Sequence, residues 1–197
     1  VEQILKNGSF PLVIGGDHYA TAPVIQAYDT PITVVQLDAH GDYLPFVSEC
    51  PHGYVMRTVS GLSNVKRIIH CGLRGNLNTG PGLEDSLKAG NQIILSKELK
   101  AFGIAPLLDC LTKGEQVYVT FDVDVLDPSI APAVGVPEPD GLNYLLASEL
   151  LKGIVEKTNV VGADFVEYNP LLEINPITGI HLVNLILIGL CCIYTRQ

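Results

Sequence analysis

The chain has 197 residues, 47% hydrophobic and 17% charged, long enough for one domain with its own core and too apolar for a disordered chain. With 12 basic side chains against 21 acidic ones, its net charge of −9 excludes a nucleic-acid partner, which needs clustered Lys and Arg, and suits divalent metals or small cations instead. Five cysteines, at 50, 71, 110, 191 and 192, are odd in number and lack a C-x-x-C spacing, which argues against a disulfide framework or a thiolate zinc site and for a reducing, cytoplasmic setting.

The chain opens at Val1 in the middle of a helical pattern, "VEQILKNG", with no initiating Met, which predicts a fragment of a longer protein with a helix over 1–7. A strand follows over "FPLVI" (10–14) and runs into "GGDH" (15–18); a helix is expected over 20–27. The run "ITVVQL" (32–37) predicts a strand that ends in "DAHGD" (38–42). Next come a helix over 54–61, a strand over "VKRIIHCG" (65–72), a helix over 81–88, a strand over "QIILS" (92–96), and helices over 97–102 and 105–113. The strand "QVYVTF" (116–121) leads into "DVDVLDP" (122–128), and after a helix over 143–157 the strand "VVGADFVE" (160–167) closes with "EYNP" (167–170). The last helix, 177–194, carries "GIHLVNLILIGLCCIY" (179–194), which includes His181 and Asn184 and falls short of the roughly 18–20 apolar residues a bilayer requires. It reads as a buried helix, so no membrane partner is expected. Strands alternating with helices predict one α/β domain over 1–197, its parallel sheet covered on both faces.

Ligands of open parallel sheets sit beyond the carboxyl ends of the strands, and here four strand ends carry acids or histidines. Asp38, His40 and Asp42 occupy alternate positions, so a continued strand would turn all three to one face. Together with His18, Asp122 and Asp124 they offer four carboxylates and two imidazoles. Crowded carboxylates cannot all ionise without a counter-charge, and two divalent cations would neutralise them. Oxygen ligands with a minority of imidazole favour manganese or magnesium over zinc or copper. Two cations roughly 3.5–4 Å apart acidify a water between them, so the implied reaction is metal-assisted hydrolysis.

The motifs "GGDH", "DAHGD", "TFDVDVLDPSIAPAVGVPEPDGL" and "DFVEYNP", in this order and each after a strand, resemble the ureohydrolase family of arginases and agmatinases along the whole chain. The resemblance implies a three-layer α/β/α arginase-like fold, here without its N-terminal part and first strand. It also implies two Mn2+, with Ni2+ or another divalent metal as the alternative. His18, Asp38, Asp42 and Asp122 would hold one ion, and Asp38, His40, Asp122 and Asp124 the other. Asp17 would lie behind the ligands, His52 would be the proton shuttle and Glu167 would face the substrate guanidinium. The expected function is cleavage of a linear guanidino compound to urea and an amine, agmatine to putrescine first, by a homotrimer or homohexamer. Alternatives are a guanidino-acid, formiminoglutamate or guanidine hydrolase, or a metal-binding inactive subunit. Zinc deacetylases of the same fold keep one metal and lack "GGDH".

Agmatine is favoured because the segment "YLPFVSECP" after Asp42 has Glu49 as its single charge and an otherwise apolar character. Arg57 and Arg74 are the exceptions that could reach a substrate carboxylate. Blander readings exist for each residue: Asp38, Asp42, Asp122 and Asp124 as caps, Asp127 as an Asp-Pro turn, His52 as a surface histidine, Glu167 as a solvated strand end. His70 and His181 read as satisfied core residues, and Cys191 and Cys192 as helix packing. Three positions depart from the family pattern: Ala133, Val136 and Asp140 stand where Gly, Thr and Gly are usual, and Val136 removes a substrate-facing hydroxyl.

Overall fold

The computed structural model describes residues 1–46, 51–78 and 80–195; Glu49 and Cys50, read above, lie outside them. Its elements are α1 (Glu2–Lys6), β1 (Leu12–Ile14), α2 (Thr21–Gln26), β2 (Ile32–Leu37), α3 (Val55–Ser60), β3 (Val65–Leu73), α4 (Pro81–Lys88), β4 (Gln92–Leu95), α5 (Ser96–Phe102), α6 (Ala105–Cys110), β5 (Gln116–Asp122), α7 (Tyr144–Lys157), β6 (Asn159–Val166) and α8 (Ile177–Thr195). All strands pair in parallel in one six-stranded sheet of order β1-β6-β5-β2-β3-β4. The expected elements are all present. Ser96 leaves the predicted strand to open α5, because the Glu98 carboxylate accepts from Leu95 N at 2.8 Å and starts the helix there.

Alternation along the strands builds two cores. Val34, Ile68 and Tyr118 face α2 and α3, with Ile25, Met56 and Val59 among their partners. Val35, Leu37, Val119 and Phe121 face the other way, onto Leu99, Leu107, Ile154 and Leu185 of α5 to α8. Each fully buried aliphatic side chain of this kind contributes about 1.5–3 kcal/mol. β2 is buried at all six positions, as a central strand covered on both faces must be.

Register then brings the chemistry together. Leu37 is level with Phe121, Ile14 with Phe165 and Asp122 with Val166, so residues 38, 122, 15 and 166 lie level at one edge of the sheet. The chain moves outward from β2 to β3 in one direction and from β5 to β6 in the other. The ends of β2 and β5 therefore flank the topological switch point, where α/β sheets open a crevice.

α8 corrects one expectation. Its 19 residues make it the one helix among those described that is long and apolar enough to cross a bilayer, so the judgement that it is too short does not hold. Nor is it buried throughout. Leu182, Leu185 and Ile186 join the core, while Ile180, Val183 and Leu187 are about half exposed and Cys191 is exposed, not packed. A helix apolar on every face gives no periodic signal of which side is covered.

The loop after β5 is pinned at its base. Asp127 Oδ1 accepts from Ser129 N and Oδ2 from Gly141 N, at 3.0 and 2.9 Å, while Leu142 N donates to Val125 O. A Cβ on Gly141 would overlap backbone atoms of Leu126 and Asp127, which cannot swing aside as a side-chain tip can. Gly141→Ala is expected to cost about 1–3 kcal/mol or more as overpacking, read as a lower denaturant midpoint. An unchanged midpoint would show that the loop is not held there.

Candidate metal centre

Six side chains gather at the switch point. His18 opens a single 3-10 turn after β1, capped by Asp17, whose carboxylate accepts from Tyr19 N at 2.8 Å. Its Nδ1 lies 3.0 Å from Asp42 Oδ2, 3.1 Å from Asp122 Oδ2 and 3.3 Å from Asp38 Oδ2. His40 Nδ1 lies 2.9 Å from Asp124 Oδ2 and 3.7 Å from Asp38 Oδ1. The groups His18/Asp38/Asp42 and Asp38/His40/Asp124 each present ligand atoms close enough for one ion, and Asp38 belongs to both. Asp38 is fully buried, and His18, Asp122 and Asp124 nearly so.

The means of convergence differs from the sequence expectation. β2 stops at Leu37, so Asp38, His40 and Asp42 are not successive residues of a strand face. A bent loop collects them instead: Ala39 N donates to Asp124 Oδ1, His40 N to Asp38 Oδ1 and Gly41 N to Asn78 Oδ1. Asp42 takes a left-handed conformation, φ 47°. Glu167 does the same, φ 64°; such backbone strain clusters at functional sites. Asp122 and Asp124 share a 3-10 turn, in which Asp122 Oδ1 caps Asp124 N at 3.0 Å. Capping and convergence thus coexist, each using a different oxygen.

A second layer, unread in the sequence, orients this one. Thr120 Oγ1 gives its proton to Asp164 Oδ1 at 2.6 Å, so at 2.9 Å from it His18 Nε2 must be the donor. That leaves His18 Nδ1 as the ring nitrogen that faces three carboxylate oxygens, where it carries a proton in the metal-free chain and would give its lone pair to a cation that replaced that proton. Asp164 is itself held by Thr21 and Tyr118. On the other side, Gln36 Nε2 donates to Asp38 Oδ2, and its Oε1 accepts from His70 Nδ1, both at 2.5 Å. His70 Nε2 then accepts from Ser86 Oγ at 2.8 Å. Burial lowers the His70 pKa to about 3, consistent with this neutral tautomer.

The electrostatics call for positive charge. Burial pushes the Asp38 carboxyl up to about 8, helped by the charges of Asp124 and Asp42, and pushes Asp122 up as well. Burial pulls His40 down, but the Asp124 hydrogen bond and the charges of Asp124, Asp38 and Asp42 outweigh it and lift the imidazole to about 9. His18 rises for the same reason. Protons therefore fill the cluster when nothing else does. Two divalent cations fit the same demand: the donors are hard oxygens and two imidazoles, and His18 Nδ1 faces the same space as the carboxylate oxygens.

Two adjoining cavities open on the cluster. One, of about 430 Å³, is lined by Asp42, Asp122, Asp124, His52, Glu167 and Val136 among others. The second, of about 260 Å³, is walled by Tyr43, Leu44, Leu77, Leu83 and Val136 and reaches His40, Asp42 and His52. His52 sits 3.3 Å from Asp17 Oδ2 through Nδ1, so Asp17 addresses this histidine and not the cluster. Glu167 Oε1 accepts from His18 N at 2.7 Å, and burial raises its pKa. Val136 borders both cavities; Asp140 does not, its backbone is left-handed and its carboxylate pairs with Lys100. Neither arginine is free for a ligand. Arg57 binds the Tyr43 and Leu44 carbonyls and Asp85, and Arg74 binds the carbonyls of Asp124, Leu126, Glu138 and Pro139.

A family model described as the arginase family matches residues 1–191. A human protein named mitochondrial guanidino acid hydrolase is 31% identical, over 98% of this chain and 57% of its own length. A protein of Blochmanniella floridana named agmatinase is 30% identical, over 100% and 63%. The chain thus spans about three-fifths of the curated relatives it matches. Among solved structures, the agmatine ureohydrolase of Thermoplasma volcanium superposes with a TM-score of 0.84 at 28% identity, covering 100% of this chain and 67% of that one. The parallel sheet and its helices are therefore of the arginase-like α/β type.

The raised groups set a pH dependence for the metal-free chain. His40, at 6.5 unfolded and about 9 folded, contributes stability that is present below 6.5 and lost as pH rises through 9. Asp38, raised from 3.8 to about 8, has the same sign and is lost through 8. The thermal midpoint of the metal-free chain should fall between pH 6.5 and 9, and added Mn2+ should restore it most at the alkaline end. A metal-free midpoint that rises over this range would contradict the protonation scheme.

Proposed function

The chain belongs to the arginase family, and from that premise we propose that it hydrolyses a linear guanidino compound to urea and an amine at this cluster. The observation that carries the reading is the buried donor set itself, with His18 Nδ1 facing three carboxylate oxygens at 3.0–3.3 Å. His18, Asp38, Asp42 and Asp122 would hold one manganese ion, and Asp38, His40, Asp122 and Asp124 the other. When bound, the pair supplies Lewis-acid activation of water near neutral pH.

The chain's own residues supply the rest. Glu167 has one oxygen fixed by His18 N and lines the larger cavity, so a guanidinium there meets a preset carboxylate. His52 borders both cavities and is steered by Asp17, which suits it to hand a proton to the departing amine nitrogen. Without that proton the leaving group would depart as an amide anion. The apolar cavity beside it buries a polymethylene tail.

For the substrate, agmatine is the first reading. Among the described residues no Lys or Arg lines either cavity, and Arg57 and Arg74 are committed to backbone carbonyls and, for Arg57, Asp85. A substrate carboxylate would enter a field of acids without a partner. Guanidino acids are the second reading, favoured by the similarity to a protein named guanidino acid hydrolase.

Two measurements test this. On the Mn-loaded protein, kcat/KM should be higher for agmatine than for arginine or 4-guanidinobutyrate, and preference for a carboxylate-bearing substrate would overturn the substrate reading alone. His52→Asn should lower kcat by roughly 10²-fold to 10⁴-fold with metal content unchanged. Metal lost together with activity would assign His52 to the ligands.

A further inference from the structure

The two histidines of the cluster are supported unequally. His18 has its far nitrogen on Thr120 Oγ1, which is anchored by Asp164. His40 turns Nδ1 toward Asp124 and Asp38, and its far nitrogen, Nε2, is buried and has no hydrogen bond. An imidazole that gives its Nδ1 lone pair to a cation must keep its proton on Nε2. A buried N–H left without an acceptor costs about 1–3 kcal/mol. The carboxylate facing that nitrogen is Glu138, with Oε1 at 3.9 Å.

We propose that Glu138 is the positioning residue of His40, its carboxylate closing on Nε2–H to hold the ring toward the second cation. This rests on the reading of the cluster as a two-cation site. Glu138 is held for the task from two sides. Arg74 Nη2 donates to its backbone carbonyl at 2.9 Å, and the same guanidinium holds Asp124 O at 2.6 Å, so one side chain ties the His40 partner loop to the Glu138 loop. The carboxyl group itself occupies the space beside Gly75, where any Cβ would overlap it. Glu138 borders neither cavity, so it reaches the chemistry through His40 and not through substrate. Carboxylate partners of this kind fix the tautomer and orientation of a metal-bound histidine, and their loss weakens metal affinity by roughly 10-fold to 100-fold.

The test is Mn2+ titration of the metal-free wild type, Glu138→Ala and Glu138→Gln, followed by calorimetry, beside the thermal midpoint of each metal-free protein. Wild type should bind two ions per chain. Glu138→Ala should keep one at wild-type affinity and bind the other roughly 10-fold to 100-fold more weakly. Glu138→Gln, whose amide oxygen still accepts from Nε2–H, should recover most of the loss, and its metal-free midpoint should match that of the wild type. Glu138→Ala that binds both ions as wild type does, or that weakens both equally with a lowered metal-free midpoint, would overturn the role. Fewer than two ions on wild type would overturn the two-cation reading and this role with it.

Discussion

Four carboxylates from two strand ends meet at the carboxyl edge of this sheet, Asp38 with no exposure and Asp122 and Asp124 with almost none. In an interior of low dielectric such a cluster cannot stay fully ionised alone, because the repulsion and the lost hydration add. The demand is for positive charge: it raises the pKa of His18 and His40 in the metal-free chain, and the same donors lie close enough to hold cations. Competition between protons and cations for one set of lone pairs makes metal affinity, stability and pH inseparable here.

The fold is arranged around that demand. Parallel pairing with Leu37 level with Phe121 brings the ends of β2 and β5 side by side, and the strand order, which runs outward to opposite sides from these two, opens the crevice there. Behind the ligands lie two fully buried relays, Ser86–His70–Gln36–Asp38 and Asp164–Thr120–His18. Such networks are costly when half-satisfied and rigid when complete. Arg74 adds a third support from outside by gathering carbonyls of the two loops that carry Asp124 and Glu138. The side chains that form the cluster are therefore a minority of those that hold it in place.

Much of this was legible in the sequence, for identifiable reasons. Short β-branched runs bounded by Gly, Pro and Asp locate every strand, and acids placed directly after them identify the edge that matters. The mode of convergence was not legible. Alternation suggested that Asp38, His40 and Asp42 share a strand face, whereas a loop gathers them through backbone hydrogen bonds to Asp124 and Asn78 and a left-handed Asp42. Tertiary hydrogen bonds of that kind leave no periodic trace. His70 read as a core residue and is one, yet its long-range partner Gln36 makes it a support of Asp38. Arg57 and Arg74 read as potential carboxylate binders because a sequence cannot show which backbone carbonyls a guanidinium will meet. The exposed side of α8 escaped for a simpler reason: its residues are apolar on all sides.

The central claim is that these strand ends form one two-cation centre with Asp38 common to both ions. Anomalous scattering from crystals grown with Mn2+ measures it most directly. Two peaks roughly 3.5–4 Å apart, with His18 beside one, His40 beside the other and Asp38 between them, is the predicted result. A single peak, or ions bound away from Asp38, would contradict the account.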